Sequence, residues 1–224
     1  MSRKSSSHPG SSGGHSAGTT TGDGPGIREM ILESARIICE DDVLDYRAAK
    51  MKAAQRLGLS PRTALPDNAR IQAAVIEYQR IFGGEDYAQH LIALRRAAVQ
   101  AMKLLRDFSP RLVGATVSGA VTAAHRVQIH GFADQLESLD FFLTDKQIPF
   151  EQDERDYRYA DGTEQPVPLA RFEAGDIGID IAMFTFDDLR RVPLSPSDGL
   201  PMKRLGLAEA EALAAIGVDT ILGR

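Results

Sequence analysis

Three short stretches of this 224-residue chain carry side chains whose types and spacing suit chemistry. In RVQIHGFADQ, which begins at Arg126, the alternation through Val127, Ile129 and Gly131 predicts a strand. Gln128 and His130 then project to one side of it, because alternate strand residues point the same way. Eight residues before Arg126, Ser118 and Gly119 form a small-residue turn, the kind of corner whose backbone N–H groups cradle a phosphate. Further on, GIDIAMF places Asp180 inside an almost wholly apolar run. A carboxylate buried there needs a partner. Either it works with a ligand, or it is neutralised structurally by Arg126, Arg171 or His130. His130 has two readings as well, a hydrogen-bonded buried histidine or a metal ligand and general base beside Asp180 or Asp134. Asp134 lies past the end of the strand.

The elements that must position these groups are legible from periodicity. Residues 1–26 are Ser, Gly and Thr with almost nothing apolar, and are expected to be a disordered tail. From Ile27 the spacing is helical, with Ile27, Met30, Ile31, Ser34 and Ile38 on one face and a break at Glu40–Asp42. A second helix is expected within 43–61, stopping at Gly58, and a third over 69–82, capped by Asp67 or Asn68 and ending at Gly83–Gly84. The longest runs from about Glu85 to Asp107 with Leu91, Leu94, Ala98, Met102 and Leu105 as its stripe, and Ser109–Pro110 closes it. After Pro110 the period becomes strand-like: RLVGATV, a short helix in AVTAAH, the strand at 126–133, a helix in LESLDFFLTDKQ, a hairpin through Asp161–Gly162, the central strand IGIDIAMF, and a short helix at about 207–216. Helices first and a small mixed sheet second is an α+β arrangement, with a helical region at 27–109 and an α+β region at 110–224.

The stretch 111–186 resembles the nucleotidyltransferase superfamily of the DNA polymerase β type. The resemblance implies an N-terminal helical bundle followed by a small mixed sheet with flanking helices. It also implies a nucleoside triphosphate held at the Ser118–Gly119 turn, two acidic residues two apart on the next strand, and a third on a later strand. Such carboxylates grip Mg²⁺ or Mn²⁺, which draws charge from the triphosphate. Gln128 and His130 fall on the two acidic positions, and Asp180 matches the third. On this resemblance the catalytic candidates are Asp180, His130 and Asp134, the metal ligands Asp180 and His130, and the cofactor-binding residues Ser118, Gly119 and Arg126. Gln is a poor ligand for a hard cation and neutral His suits transition metals better, so the acidic motif is degenerate.

Three functions follow as expectations. One is a catalytically impaired nucleotidyltransferase-like protein that binds a nucleotide or a partner. The second is an active metal-dependent nucleotidyltransferase. The third is a helix-turn-helix DNA-binding regulator, from Arg47, Lys50, Lys52 and Arg56 on the second helix. A net charge of −5 argues against a broad nucleic-acid footprint. In LRRVPLSPSDGLPMKR, Arg190, Arg191, Lys203 and Arg204 surround a Pro-rich loop that reads either as a lid with phosphate-facing cations or as a surface wrap. The single cysteine, Cys39, forms no internal disulfide and points to a reducing, cytoplasmic setting. No apolar run reaches the roughly 20 residues that span a bilayer, so no membrane role is expected. Exposed faces on three helices suggest a homodimer. No P-loop, His-Glu-x-x-His, paired Cys-x-x-Cys or Gly-x-Ser-x-Gly motif occurs.

Overall fold

The computed structural model describes residues 25–60 and 62–224. Of the expected tail at 1–26, only Pro25 and Gly26 are described, and they open α1 (Pro25–Glu40), where proline's fixed φ suits a first helical turn. Met30, Ile31, Ile37 and Ile38 bury the inner face of α1. The helix ends at the expected acidic run, with Asp42 turning the chain at φ 51°. Asp45 caps α2 (Tyr46–Arg56), its carboxylate accepting from the Ala48 N–H at 2.7 Å. Helix α3 (Asn68–Tyr78) follows, and α1 packs against both α2 and α3. A π-helical turn, Gln79–Gly83, extends α3 to the expected stop, where Gly84 at φ 51° and ψ −131° breaks the helical path before α4 (Gly84–Leu104).

Beyond α4 come β1 (Arg111–Val113), α5 (Ala115–Ser118), β2 (Val127–Phe132), α6 (Ser138–Asp145), β3 (Glu151–Arg158), β4 (Glu164–Ala174), β5 (Ile177–Phe184), α7 (Leu207–Ala214) and α8 (Val218–Leu222). The sheet order is β1-β2-β5-β4-β3, with β2 and β5 parallel and every other neighbouring pair antiparallel. IGIDIAMF is the central strand, as its apolar composition predicts.

The pleat sorts the side chains. On one face Val127, Ile129, Ile179, Ile181 and Met183 join Leu91, Leu94, Ala98 and Met102 of α4 in one apolar core, each large side chain contributing about 1.5–3 kcal/mol on burial. On the other face Phe132, Phe184, Tyr157, Val167 and Leu169 form a smaller core beneath the segment after Leu189. Helices α1–α3 keep a separate core, to which Ala120 is added from the connection between α5 and β2. The apolar division of the molecule therefore falls at the π turn rather than at Pro110. The long helix α4 is amphipathic toward the sheet, and its sequence pattern alone does not say which partner it covers. Among the described residues, no helix is long and apolar enough to cross a membrane.

Candidate functional site

Asp180 sits mid-strand in β5 at 3% exposure. Arg126 Nε donates to one carboxylate oxygen at 2.6 Å and Arg155 Nη2 to the other at 3.0 Å, with Arg171 Nε at 3.7 Å. Arg126 is held in place by Glu173, at 2.5 Å, and by the Phe172 carbonyl, at 3.0 Å. Its guanidinium lies beside Gly178, where any Cβ would overlap it. Asp180 is thus neutralised by arginines, the second of the two readings open to it. Arg126, a candidate for cofactor binding, points at Asp180 and Glu173. The alternation that exposes most of the acidic EQDERDY strand turns Arg155 and Tyr157 inward onto this face.

His130 is fully buried on the same sheet face, two residues further along, in register with Ala182. Its Nδ1 accepts from Arg204 Nε at 3.1 Å, so the ring proton is assigned to Nε2, which has no hydrogen-bond partner among the described residues. The ring packs 4.6 Å from Phe184 and edge-on to Tyr157 at 5.3 Å. Burial, followed by the positive charges of Arg204 and Arg155, holds its pKa well below 6.5. His130 and Asp180 share a face but no hydrogen bond. Asp134 is exposed past the end of β2, in a shallow hollow with Asp107 and Phe186. It does not converge with the other two.

The turn also differs from expectation. The short helix comes before Gly119, at Ala115–Ser118, and not in AVTAAH. Ala120 and Val121 are instead drawn into two different cores, which leaves no room for a helical turn there. His125 Nδ1 accepts from the Thr122 N–H at 2.9 Å, and burial lowers its pKa to about 4. The strand-to-helix corner is Gly114, at φ 77°, where a Cβ would collide with the amide of Gln128. Gln128 is in register with Asp180 on β5 and Val113 on β1.

Gln128 forms part of the floor of a cleft between α3 and the sheet. One hollow, about 470 Å³, is lined by Gly114, Ser118, Gln72, Ser195, Lys203 and an apolar wall that includes Tyr46 and Val75. A larger hollow of about 1100 Å³ continues past Gln128 toward Arg47 and Arg155. The cleft is bridged by side-chain amides of α3: Gln72 Nε2 donates to Ser118 Oγ at 3.0 Å, and Asn68 Nδ2 to the Pro196 carbonyl at 2.6 Å. Ser118 and Gly114 reach this cleft; Asp180, His130 and Arg126 lie beside or beneath it without lining either hollow. Asn68, Gln72 and Ser195 were not signalled by any motif, because neutral polar residues on a helix or in a loop carry no spacing signature.

The cations of the Pro-rich segment divide between the two readings. Arg191 stacks on Tyr159 at 3.8 Å and pairs with Asp161, and Arg204 turns inward over Phe132 and Phe184, both structural roles. Lys203 faces the cleft. On α2, Lys52 pairs with Asp41 and Arg56 with Asp41 and Glu33, while Lys50 donates to Pro66 and Asn68.

Among the described residues, no group of three His, Cys, Asp or Glu side chains could hold a metal ion. The divalent ion implied by the resemblance does not fit the residues present: both oxygens of Asp180 are engaged by guanidinium groups, and its neighbour across the strand pair is a neutral amide. Comparison with known proteins gives no match to any protein-family model, to any curated protein or to any solved structure.

Proposed function

We propose that this chain is a nucleotide-binding protein built on a nucleotidyltransferase-like sheet, holding its ligand in the cleft between α3 and the sheet without metal-dependent turnover. The observation that carries this reading is the ion pairing of Asp180 with Arg126 and Arg155. A carboxylate engaged in this way is unavailable to a metal, and Gln128 and His130 supply no replacement. What is left is a pocket of ligand size with an apolar wall and a few convergent polar groups, the general form of a small-molecule site.

The cleft chemistry gives each part a role. The apolar wall on the helical side takes a planar base. Gln72 and Gln128 offer both donor and acceptor to its edge. Ser118 and Ser195 offer hydroxyls.

Two measurements test this together. Incubation with labelled nucleoside triphosphates and Mn²⁺ is expected to give no transfer to protein, RNA or small acceptors. Nucleotides are expected to raise the melting temperature equally with Mn²⁺ and with EDTA. Metal-dependent transfer, or stabilisation that disappears in EDTA, would replace this reading with that of an active enzyme.

A further inference from the structure

The charge around the cleft limits what it can hold. The 470 Å³ hollow has two charged residues, Asp198 and Lys203. Asp198 is exposed, accepts from the Leu200 N–H at 3.1 Å and keeps its charge, so the hollow as a whole is neutral. Lys203 is exposed, faces the hollow and has no ion-pair partner among the described residues. His125, also in the lining, is neutral at pH 7 because burial lowers its pKa to about 4. The larger hollow is lined by four basic and five acidic residues. Of its bases, Arg155 is paired with Asp180 and Arg158 with Glu164. Arg47 and Lys50 are left against Asp45, Asp67, Asp156 and Asp198, so a triphosphate extended into that hollow would meet a net acidic wall.

Resting on the nucleotide-binding reading above, we propose that the ligand is a nucleoside monophosphate, bound without metal, with its single phosphate on Lys203 and the hydroxyls of Ser118 and Ser195. Lys203 is followed in sequence by Arg204, whose side chain runs the opposite way to His130 and the carbonyl of Asp188. The lysine therefore projects from an anchored backbone, which limits the conformational entropy lost when it closes on a phosphate. Ser195 Oγ can accept from Ser197 Oγ, at 2.7 Å, and keep its own proton for the phosphate, while Ser118 Oγ exchanges its 3.3 Å bond to the Ala115 carbonyl for one to the ligand, adding the direction that a point charge lacks. Gln128, whose amide fills the space above Gly114, is positioned for the base or the ribose.

The experiment is a calorimetric titration of the full chain in EDTA with the four nucleosides, their monophosphates and triphosphates, and inorganic phosphate. At least one monophosphate is expected to bind at least about tenfold more tightly than its nucleoside and its triphosphate, and than inorganic phosphate. Lys203→Ala is expected to lower monophosphate affinity by about tenfold, in keeping with loss of one charge-assisted hydrogen bond, and to leave nucleoside affinity unchanged. Lys203→Arg is expected to restore most of it. Because Lys203 is exposed, an unchanged melting temperature shows that the variants are folded. A triphosphate that binds more tightly than the monophosphate, or a Lys203→Ala variant with unaltered affinity, overturns the monophosphate assignment and leaves the nucleotide reading standing. No binding by any nucleoside or nucleotide overturns both.

Discussion

Replacing Asp180 by asparagine leaves the guanidinium groups of Arg126 and Arg155 facing a neutral amide. Removing one member of a buried pair typically costs about 3–5 kcal/mol. Arg126 and Arg155 retain 30% and 29% exposure, so solvent compensates in part and the low end, about 3 kcal/mol, is expected. Urea unfolding of Asp180→Asn checks this, and an unchanged midpoint would deny the carboxylate its structural role. The histidines set a pH dependence of known sign. His125 and His130 have folded pKa values below the ordinary 6.5, to about 4 for His125. The unfolded chain therefore takes up protons first as pH falls. The stability they contribute is complete above about pH 6.5 and declines as pH falls, for His125 down to about pH 4. Urea midpoints are expected to fall from pH 7 to pH 5, with a shallower decline in His125→Asn. A flat profile over that interval would count against neutral burial of these rings.

Helix α4 is the element on which the sheet depends. Leu94→Ala, at a residue 1% exposed in its stripe, is expected to cost about 2–5 kcal/mol. Phe141→Ala on α6, where the ring is 74% exposed, is expected to change stability by less than about 0.5 kcal/mol, both measured by chemical denaturation. The stripe of α4, the alternation of β2 and the apolar run of β5 were all legible in the sequence, because each follows from a period of 3.6 or 2 and from burial. The helix expected in AVTAAH was not found there. Its alanines favour a helix locally, but Ala120 and Val121 serve two cores at once, and that demand is invisible in a local window. Asp180 was legible as a buried carboxylate in need of a partner. Arg126 and Arg171 were legible among its partners, but Arg155 was not, since it comes from the acidic strand β3, 25 residues away in sequence.

At the scale of the whole molecule, the core of α1–α3 meets the two cores of the sheet across a seam bridged by side-chain amides. Amide hydrogen exchange is expected to report this as two levels of protection, with Met30, Ile37 and Ile71 opening at lower free energy than Ile129 and Ile181 of the sheet. Equal protection throughout would mean that the seam unfolds with the rest as one cooperative unit. The N-terminal helices all precede Gln79, so among the described residues one covalent path, the π turn, links them to the sheet. Their remaining hold includes Ala120 and the amides of Asn68, Gln72 and Gln79, the last donating to the Val121 carbonyl at 3.0 Å. Parting the helices from the sheet therefore exchanges a few amide partners for water and uncovers the Ile38 and Val75 wall of the cleft. The joint has a single hinge, and the amides that fasten it bond to solvent almost as well as to their present partners.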